Sequence, residues 1–390
     1  MIFGTFYGTD DKNHLENFRT PLQTALNDLP VEELLHRVPV ELDPEPVKKM
    51  LLSKRVLVTG AAGSIGFELC KQILAFRPAA LIMLDRSENG LFTIRRALSG
   101  PEADPVIRLV VGDVTDTVRM NAVVAEHRPQ IVFHAAAYKH VALMEENPCE
   151  AVKNNVGGTY VIASAAITHR VERFVLISTD KAVNPCSVMG ATKRIAELIV
   201  RSFGENAGGT DAIFSCVRFG NVLASNGSVV PIFWEQIRHG GPLTITHPDV
   251  RRYFMLISEA VQLVLHAGAI AHSGDILVLR MGNQIKIVDL AQNMIRLAGF
   301  IPGEEIPITF VGLRPGEKIS EELLANDETG EASGVQDLIR VRSSEKLDHA
   351  SIQEAAADLV QAACRNDTEL VVDLLSRFQR SAPASSLRKT

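Results

Sequence analysis

Apolar residues between Arg55 and about Phe203 fall in short β-branched runs that alternate with longer stretches of helical period. The runs Arg55–Thr59, Ala80–Leu84, Val106–Val111, Gln130–His134 and Arg173–Ser178 read as strands buried on both faces. Intervening helices would supply that cover, so the order predicts an α/β fold built on a doubly wound parallel sheet. The spacing predicts a sheet domain over residues 51–215. After Asp211 the pattern loosens, with Pro231, Gly240-Gly241-Pro242, Pro248 and Arg314-Pro315-Gly316 punctuating shorter elements. A smaller capping region is expected over 216–380, with some elements returning to the sheet. Ahead of the sheet, Leu15, Phe18, Leu22, Leu26 and Leu29 recur every three or four residues, interrupted by Pro21. This predicts a helical arm within residues 1–50, packed on the core or on a second subunit. The small, polar end of the chain, residues 381–390, is expected to be a flexible tail.

Composition narrows the classes of function. With 390 residues and 46% hydrophobic content the chain can bury a large core. A net charge of -6 gives no pull toward polyanions, so nucleic acid is not an expected partner. Cys70, Cys149, Cys186, Cys216 and Cys364 are scattered and form no C-x-x-C pair, which points to reduced thiols and to neither a disulfide framework nor a metal site. No apolar run approaches the ~18 residues of a membrane span. The first residues meet charge too soon for a signal peptide. A soluble, cytoplasmic protein without stable membrane insertion is the expectation.

In parallel sheets of this kind, ligands bind beyond the carboxyl ends of the strands, and the chemically interesting residues follow strands here. Thr59-Gly60-Ala-Ala-Gly63-Ser64-Ile65-Gly66 comes after the first strand and opens a helix expected over 67–76. Glycines allow a tight turn and close approach to a pyrophosphate, and the helix N-terminus attracts its charge. Asp85 ends the second strand about 20 residues on, where a carboxylate accepts hydrogen bonds from an adenosine ribose and repels a 2′-phosphate. This favours NAD. The neighbouring Arg86, followed by Ser87, could instead pair with the 2′-phosphate of NADP. Asp113, with Val114 after the third strand, is either an acceptor for the adenine amine or a simple turn aspartate.

Ser178-Thr179-Asp180-Lys181 ends the fifth strand, and Met189 and Lys193 follow at a helical spacing of four that places both on one face, toward the nicotinamide. Dehydrogenases of this type normally carry tyrosine where Met189 stands. Methionine has no proton to exchange, so the chain is either inactive or has moved its acid–base work to neighbours. The clustered Thr179, Asp180 and Lys181 are the candidates for that work.

These residues, with Pro39-Val-Glu-Leu-Asp43, His134-Ala135-Ala136-Ala137-Tyr-Lys139-His140-Val141, Glu145-Glu-Asn-Pro148, Lys153-Asn-Asn-Val156, Val217-Arg-Phe-Gly-Asn221-Val222, Arg252-Tyr-Phe-Met255 and Leu313-Arg314-Pro-Gly-Glu317-Lys318, carry a resemblance. From about Val31 to Leu324 the chain resembles the nucleotide-sugar 4,6-dehydratases of the polysaccharide-biosynthesis branch of extended short-chain dehydrogenases. That resemblance implies a Rossmann sheet, UDP-N-acetylglucosamine as substrate and a UDP-4-keto-6-deoxy sugar as product. It implies Lys181 as base at carbon 5 and Asp180 as acid toward the departing 6-hydroxyl. Thr179 would orient the 4-hydroxyl, Lys193 would hold the nicotinamide ribose, and Met189 would shape the pocket. Ala135, Ala136 and Ala137 would line the cofactor. Arg252 and Arg314 are expected at the diphosphate or uridine, with Lys139, His140, Asn221 and Glu317 nearby. Members with methionine at the 189 position tend to retain configuration at carbon 5, so retention is expected. Many relatives carry membrane helices ahead of the segment that begins near Val31, where this chain has a short polar arm. A 4-epimerase, an inverting dehydratase and a non-catalytic nucleotide-sensing module are the competing readings. A homo-oligomer is expected by analogy alone.

Overall fold

The computed structural model describes residues 42–100, 105–205, 211–223, 225, 227–343 and 348–378. The expected helical arm at Leu15–Leu29 and the tail at 381–390 lie outside the described residues. Among the described residues, α1 (Glu45–Leu51) leads into β1 (Arg55–Thr59), α2 (Ser64–Ala75), β2 (Ala80–Asp85), α3 (Glu88–Leu98), β3 (Ile107–Val111), α4 (Thr117–His127) and β4 (Ile131–His134). Then come α5 (Val141–Glu146), α6 (Pro148–Ala151), a π-helical turn at Val152–Gly157, α7 (Gly158–Thr168) and β5 (Arg173–Ile177). After a 3-10 turn at Asp180–Ala182, the long α8 (Val188–Glu205) leads to β6 (Ile213–Arg218).

The main sheet runs β3-β2-β1-β4-β5-β6 and continues into β11 (Ile276–Leu279), all parallel. It closes with the antiparallel strands β15 (Leu338–Ser343) and β14 (Glu328–Ala332). Strand order reverses between β1 and β4, which opens a crevice at their carboxyl ends. Core residues of β1, β2, β4 and β5 are buried on both faces, as their unbroken apolar runs require. β3 departs from that expectation. It is the sheet's edge strand, and Arg108, Leu109 and Val111 are exposed because among the described residues no strand pairs with its outer side.

One face of the sheet packs against α1, α2 and α10 (Ile257–Ile270) through residues such as Val47, Leu51, Leu69, Ile73, Val261 and Leu265. The other face meets α4, α7 and α8 through Val123, Ile162, Ala196 and Val200. The outer side of α8 is covered in turn by α12 (His349–Cys364) and α13 (Thr368–Ser376), with Ile195, Ile199, Ala356, Leu359, Val371 and Leu375 in contact. α8 is therefore buried all round although it carries Lys193, Arg194, Glu197 and Arg201. Buried charges persist only when paired. Arg218, fully buried on β6, donates to Glu197 at 2.7 and 2.8 Å and to Glu328 at 2.6 and 2.9 Å, which ties α8, β6 and β14 together.

The remaining elements gather a separate apolar cluster. It joins α9 (Val229–Arg238), β8 (Leu243–Ile245), which pairs with β13 (Ile308–Phe310), and α11 (Ile287–Leu297) through Phe233, Trp234, Leu243, Leu290 and Met294. Two short pairings attach this cluster to the sheet's upper rim. β7 (Asn221–Val222) pairs with β10 (Phe254–Met255), and β9 (Arg251–Arg252) pairs with β12 (Ile285–Lys286).

Candidate active site

The first part of the site is a cavity of about 300 Å³ at the strand-order reversal, lined by Gly60, Gly63, Asp85, Arg86, Ser87, Asp113, Val114 and Ala135–Ala137, among others. Gly60 has φ +67°, and a Cβ there would lie 2.6 Å from the Ala136 amide nitrogen. A Cβ on Gly66 would lie 2.1 Å from the Gly60 carbonyl oxygen. Only glycine permits that closeness, and it lets α2 begin directly under the turn. Ser87 and Asp116 cap α3 and α4 with their side chains, but α2 begins at Gly63 without a side-chain acceptor. Gly63, at that helix start, lines the cavity, which places the positive end of the helix dipole beside it.

Asp85 holds the loop from the second strand. Its carboxylate accepts from the Ala62 amide at 3.0 Å and from the Ser87 amide at 2.9 Å. Arg86 lies 4.7 Å from the centre of the Tyr138 ring and 3.8 Å from Asp113. Asp113 also accepts from the Thr115 amide and hydroxyl, so it organises its own turn while lining the cavity. The charge pattern and the glycine cradle suit a dinucleotide: an anion seat at the helix start, and a carboxylate where a ribose would lie.

A second crevice of about 490 Å³ shares Gly60, Gly63, Ala135, Ala137 and Tyr138 with the first, so the two form one groove. Ser64, Ile65, Gly66, Lys139, His140, Thr179, Lys181, Met189, Lys193 and Asn221 all border it. Residues far apart in sequence meet because β1, β4, β5 and β6 all end at this rim.

Lys193 is buried and donates to the Ile177 carbonyl at 2.7 Å. Burial pushes its pKa down to about 8, with Glu197 and Cys216 opposing. Met189, one helical turn earlier, is also buried and lines the same wall. Below them His134 bonds Thr59 at 2.7 Å and Thr159 at 3.1 Å; burial and the Lys193 charge hold its pKa near about 3, so it stays neutral.

The 3-10 turn after β5 concentrates the reactive groups. Lys181 Nζ lies 3.0 Å from Asp180 Oδ1, 3.2 Å from Asn221 Oδ1 and 3.5 Å from Glu321 Oε1. Burial disfavours its charge, but Asp180 and Glu321 outweigh that and its pKa is raised. Asp180 is fully buried and does not line the crevice; its carboxylate sits behind Thr179 and Lys181, against Gly220. Oδ1 accepts from Thr179 Oγ1 and Lys181 Nζ, both at 3.0 Å, whereas Oδ2 has no hydrogen-bond partner among the described residues. Burial, the largest influence, raises the Asp180 pKa against the lowering effect of Lys181.

The structure does not bring the expected arginines to this crevice. Arg252 is buried, donating to Glu317 at 3.2 Å and to the carbonyls of Arg251 and Ile319. Arg314 is exposed and lies outside the lining, and Glu317 accepts from the Arg314 amide and from Thr246. Glu317 thus gathers both segments beside the crevice rather than in it.

Two groups escaped the sequence reading. Glu321 stands in a charged run that resembles any solvated loop. Glu197 sits on a helix whose second cover, α12, is far along the chain; it accepts from Ser178 Oγ at 2.6 Å and so anchors the start of the turn after β5.

Residues 56–343 match the model of a family described as "Polysaccharide biosynthesis protein". The chain belongs to this family. It is 51% identical over 304 residues to the capsular polysaccharide biosynthesis protein CapD of Staphylococcus aureus, covering 78% of this chain and 50% of the relative. The chain therefore spans about half the length of the first curated relatives it matches. A UDP-glucose 4-epimerase of Rickettsia rickettsii is 33% identical over 296 residues, 75% of this chain and 84% of that protein. A UDP-N-acetylglucosamine 4,6-dehydratase (inverting) of Campylobacter jejuni is 32% identical over 282 residues, 72% and 80%. Among solved structures, Pen from Bacillus thuringiensis superposes with a TM-score of 0.70 at 34% identity, covering 75% of this chain and 89% of that one. Among the described residues no helix is long and apolar enough to cross a membrane.

Proposed function

We propose that this chain is a nucleotide-sugar 4,6-dehydratase, a lyase acting on UDP-N-acetylglucosamine through bound NAD and retaining configuration at carbon 5. The observation that carries the reading is the amine of Lys181 held 3.0 Å from a buried, half-satisfied carboxyl, at the edge of a groove continuous with the glycine-loop cavity. Elimination of water across carbons 5 and 6 needs a base and an acid side by side. Epimerisation at carbon 4 moves only the 4-hydroxyl proton and needs no base and acid placed across carbons 5 and 6. NAD-binding relatives of the same fold support the cofactor, and Asp85 favours it over NADP, which Arg86 leaves as the alternative.

A bound dinucleotide would supply the hydride acceptor for sugar carbon 4 and the hydride donor for carbon 6, with no net change in its oxidation state. Gly60, Gly63, Ser64, Ile65 and Gly66 would seat its pyrophosphate, Asp85 the adenosine ribose, and Lys193 the nicotinamide ribose. Asp113, Val114 and Ala135–Ala137 would flank it, with Ser87 at the adenosine end. The proton cycle closes on three neighbours, starting from the Lys181 amine and the Asp180 carboxylate. Thr179, already donating to Asp180, passes the 4-hydroxyl proton to that carboxylate. The ketone at carbon 4 acidifies carbon 5, and Lys181 takes its proton. Asp180 then returns that proton through the Thr179 hydroxyl, which borders the crevice, to the 6-hydroxyl, which leaves as water. Lys181 then returns its proton to carbon 5, and amine and carboxylate are restored. The raised Lys181 pKa makes the ammonium the resting form at neutral pH, so turnover rises with pH as that proton is lost.

Lys139, His140 and Asn221 border the crevice beyond this trio and would meet the sugar and diphosphate. Arg314 would add charge from outside the lining, with Arg252 and Glu317 bracing its segment. The smaller domain over 216–380 would bind the nucleotide while 51–215 holds the dinucleotide. Any homo-oligomer would form away from the outer face of α8, which α12 and α13 cover.

The test is incubation with UDP-N-acetylglucosamine followed by mass spectrometry. Loss of one water supports the reading, and a proton spectrum in heavy water reports retention or inversion. Unchanged mass with a new epimer would replace dehydration by 4-epimerisation. Dinucleotide and UDP binding without turnover would make the chain a sensing module.

A further inference from the structure

We propose that Glu321 is a positioning residue for the reaction: it orients the Lys181 amine toward the crevice and stabilises the ammonium formed when that amine takes the sugar proton. The inference rests on the reading of Lys181 as base.

Glu321 is buried and does not line the crevice, so it cannot act on the sugar directly. Its Oε1 lies 3.5 Å from Lys181 Nζ and 3.9 Å from Arg252 Nε, and its Oε2 has no hydrogen-bond partner among the described residues. The same molecule shows what a purely structural buried carboxylate looks like. Glu197 takes both Arg218 nitrogens at 2.7 and 2.8 Å and Ser178 at 2.6 Å, while Glu328 takes Arg218 at 2.6 and 2.9 Å and the Ala325 amide at 2.8 Å. Both are saturated. Glu321 is not, because Arg252 spends its terminal nitrogens on Glu317 and two carbonyls. A buried charge left underpaired beside a reactive amine is poorly explained by stability and well explained by work on that amine.

The three partners around Lys181 come from three segments: Asp180 on its own turn, Asn221 on β7, and Glu321 on the loop before β14. Asp180 and Asn221 accept hydrogen bonds from it at 3.0 and 3.2 Å, and Glu321 stands farther off, at 3.5 Å, as an ion-pair partner. The neutral amine keeps two donors, which Asp180 and Asn221 hold, and a lone pair that is left for the crevice. Glu321 then acts by charge alone. It favours the cation being formed, as an orienting carboxylate favours the imidazolium in a catalytic triad. The charged groups facing the pair are Asp180 and Arg252; Glu317 pairs with Arg252 at 3.2 Å, and the Cys186 thiol, kept neutral chiefly by burial, feels the Glu321 charge.

Glu321→Gln keeps the shape and removes the charge. Plateau turnover should fall about ten-fold or more with KM for the UDP-sugar within about two-fold. The rising limb of the pH profile should move to lower pH by about one unit, because Lys181 loses a carboxylate that holds its proton. Glu321→Asp should recover part of both. Thermal unfolding of each variant separates these effects from loss of fold. The Lys181 amine is followed independently by NMR of protein carrying 13C-lysine, its resonance assigned by its absence in Lys181→Ala. An unchanged titration midpoint in Glu321→Gln, or a rising limb that stays in place, overturns the inference. Should the wild type release no water, the dehydratase reading fails, and the titration still judges whether Glu321 governs Lys181.

Discussion

Lys193 offers a prediction in which stability and function oppose each other. Its ammonium is buried, with a pKa lowered to about 8 from an ordinary 10.5, chiefly by burial. Between those values the unfolded chain binds more protons than the folded one, so stability rises with pH across that window. Below about 8 both states are protonated, and the folded protein carries the whole penalty. A shift of about 2.5 units corresponds to roughly 3 kcal/mol. Lys193→Met removes the charge and fills the space with an apolar chain, but it strands the Ile177 carbonyl, at a cost of about 1–2 kcal/mol. At pH 7 the variant should therefore be more stable than wild type by about 1–2 kcal/mol, the advantage vanishing and then reversing as pH rises toward 10. Its turnover should collapse, because the cation proposed to hold the nicotinamide ribose is gone. Urea denaturation of dinucleotide-free protein at several pH values, with m unchanged, measures this. A variant less stable than wild type at pH 7, or a difference that does not vary with pH, would refute the account of Lys193 as a cation held against solvation.

Other outcomes follow from single contacts. Arg218→Met should destabilise the fold by about 3–5 kcal/mol in urea, because it leaves Glu197 and Glu328 buried without their main partner. Gly60→Ala should abolish dinucleotide retention, read by absorbance of the purified protein, since its Cβ would meet the Ala136 backbone in a left-handed turn. Lys181→Ala and Asp180→Asn should each lower turnover by ~10²–10⁴ while UDP affinity holds; near-normal turnover in either would remove that residue from the proton cycle. Arg314→Ala should weaken UDP binding in calorimetry, and unchanged affinity would take this arginine out of the site.

The parallel sheet and the cofactor turn were legible in the chain itself. Strands such as Val56–Val58 and Val132–Phe133 are apolar without interruption because helices cover both sheet faces, and that burial leaves its mark residue by residue. The Gly60–Gly66 turn is equally local, since its strand, loop and helix are contiguous. Lys181 and Met189 could be singled out because each belongs to a short motif beside a strand end. What only the tertiary structure decided is how distant side chains divide their partners. Arg252 is expected at the diphosphate or uridine, yet the fold commits it to Glu317 and the backbone. Asp180 is expected as an acid toward the sugar, yet the fold buries it behind its neighbours, against Gly220. Glu321 carries no signal in a charged run until the loop before β14 folds back onto Lys181. A local pattern records how much water a residue avoids, whereas the charge state of a buried group depends on which other charges the fold delivers within a few ångströms.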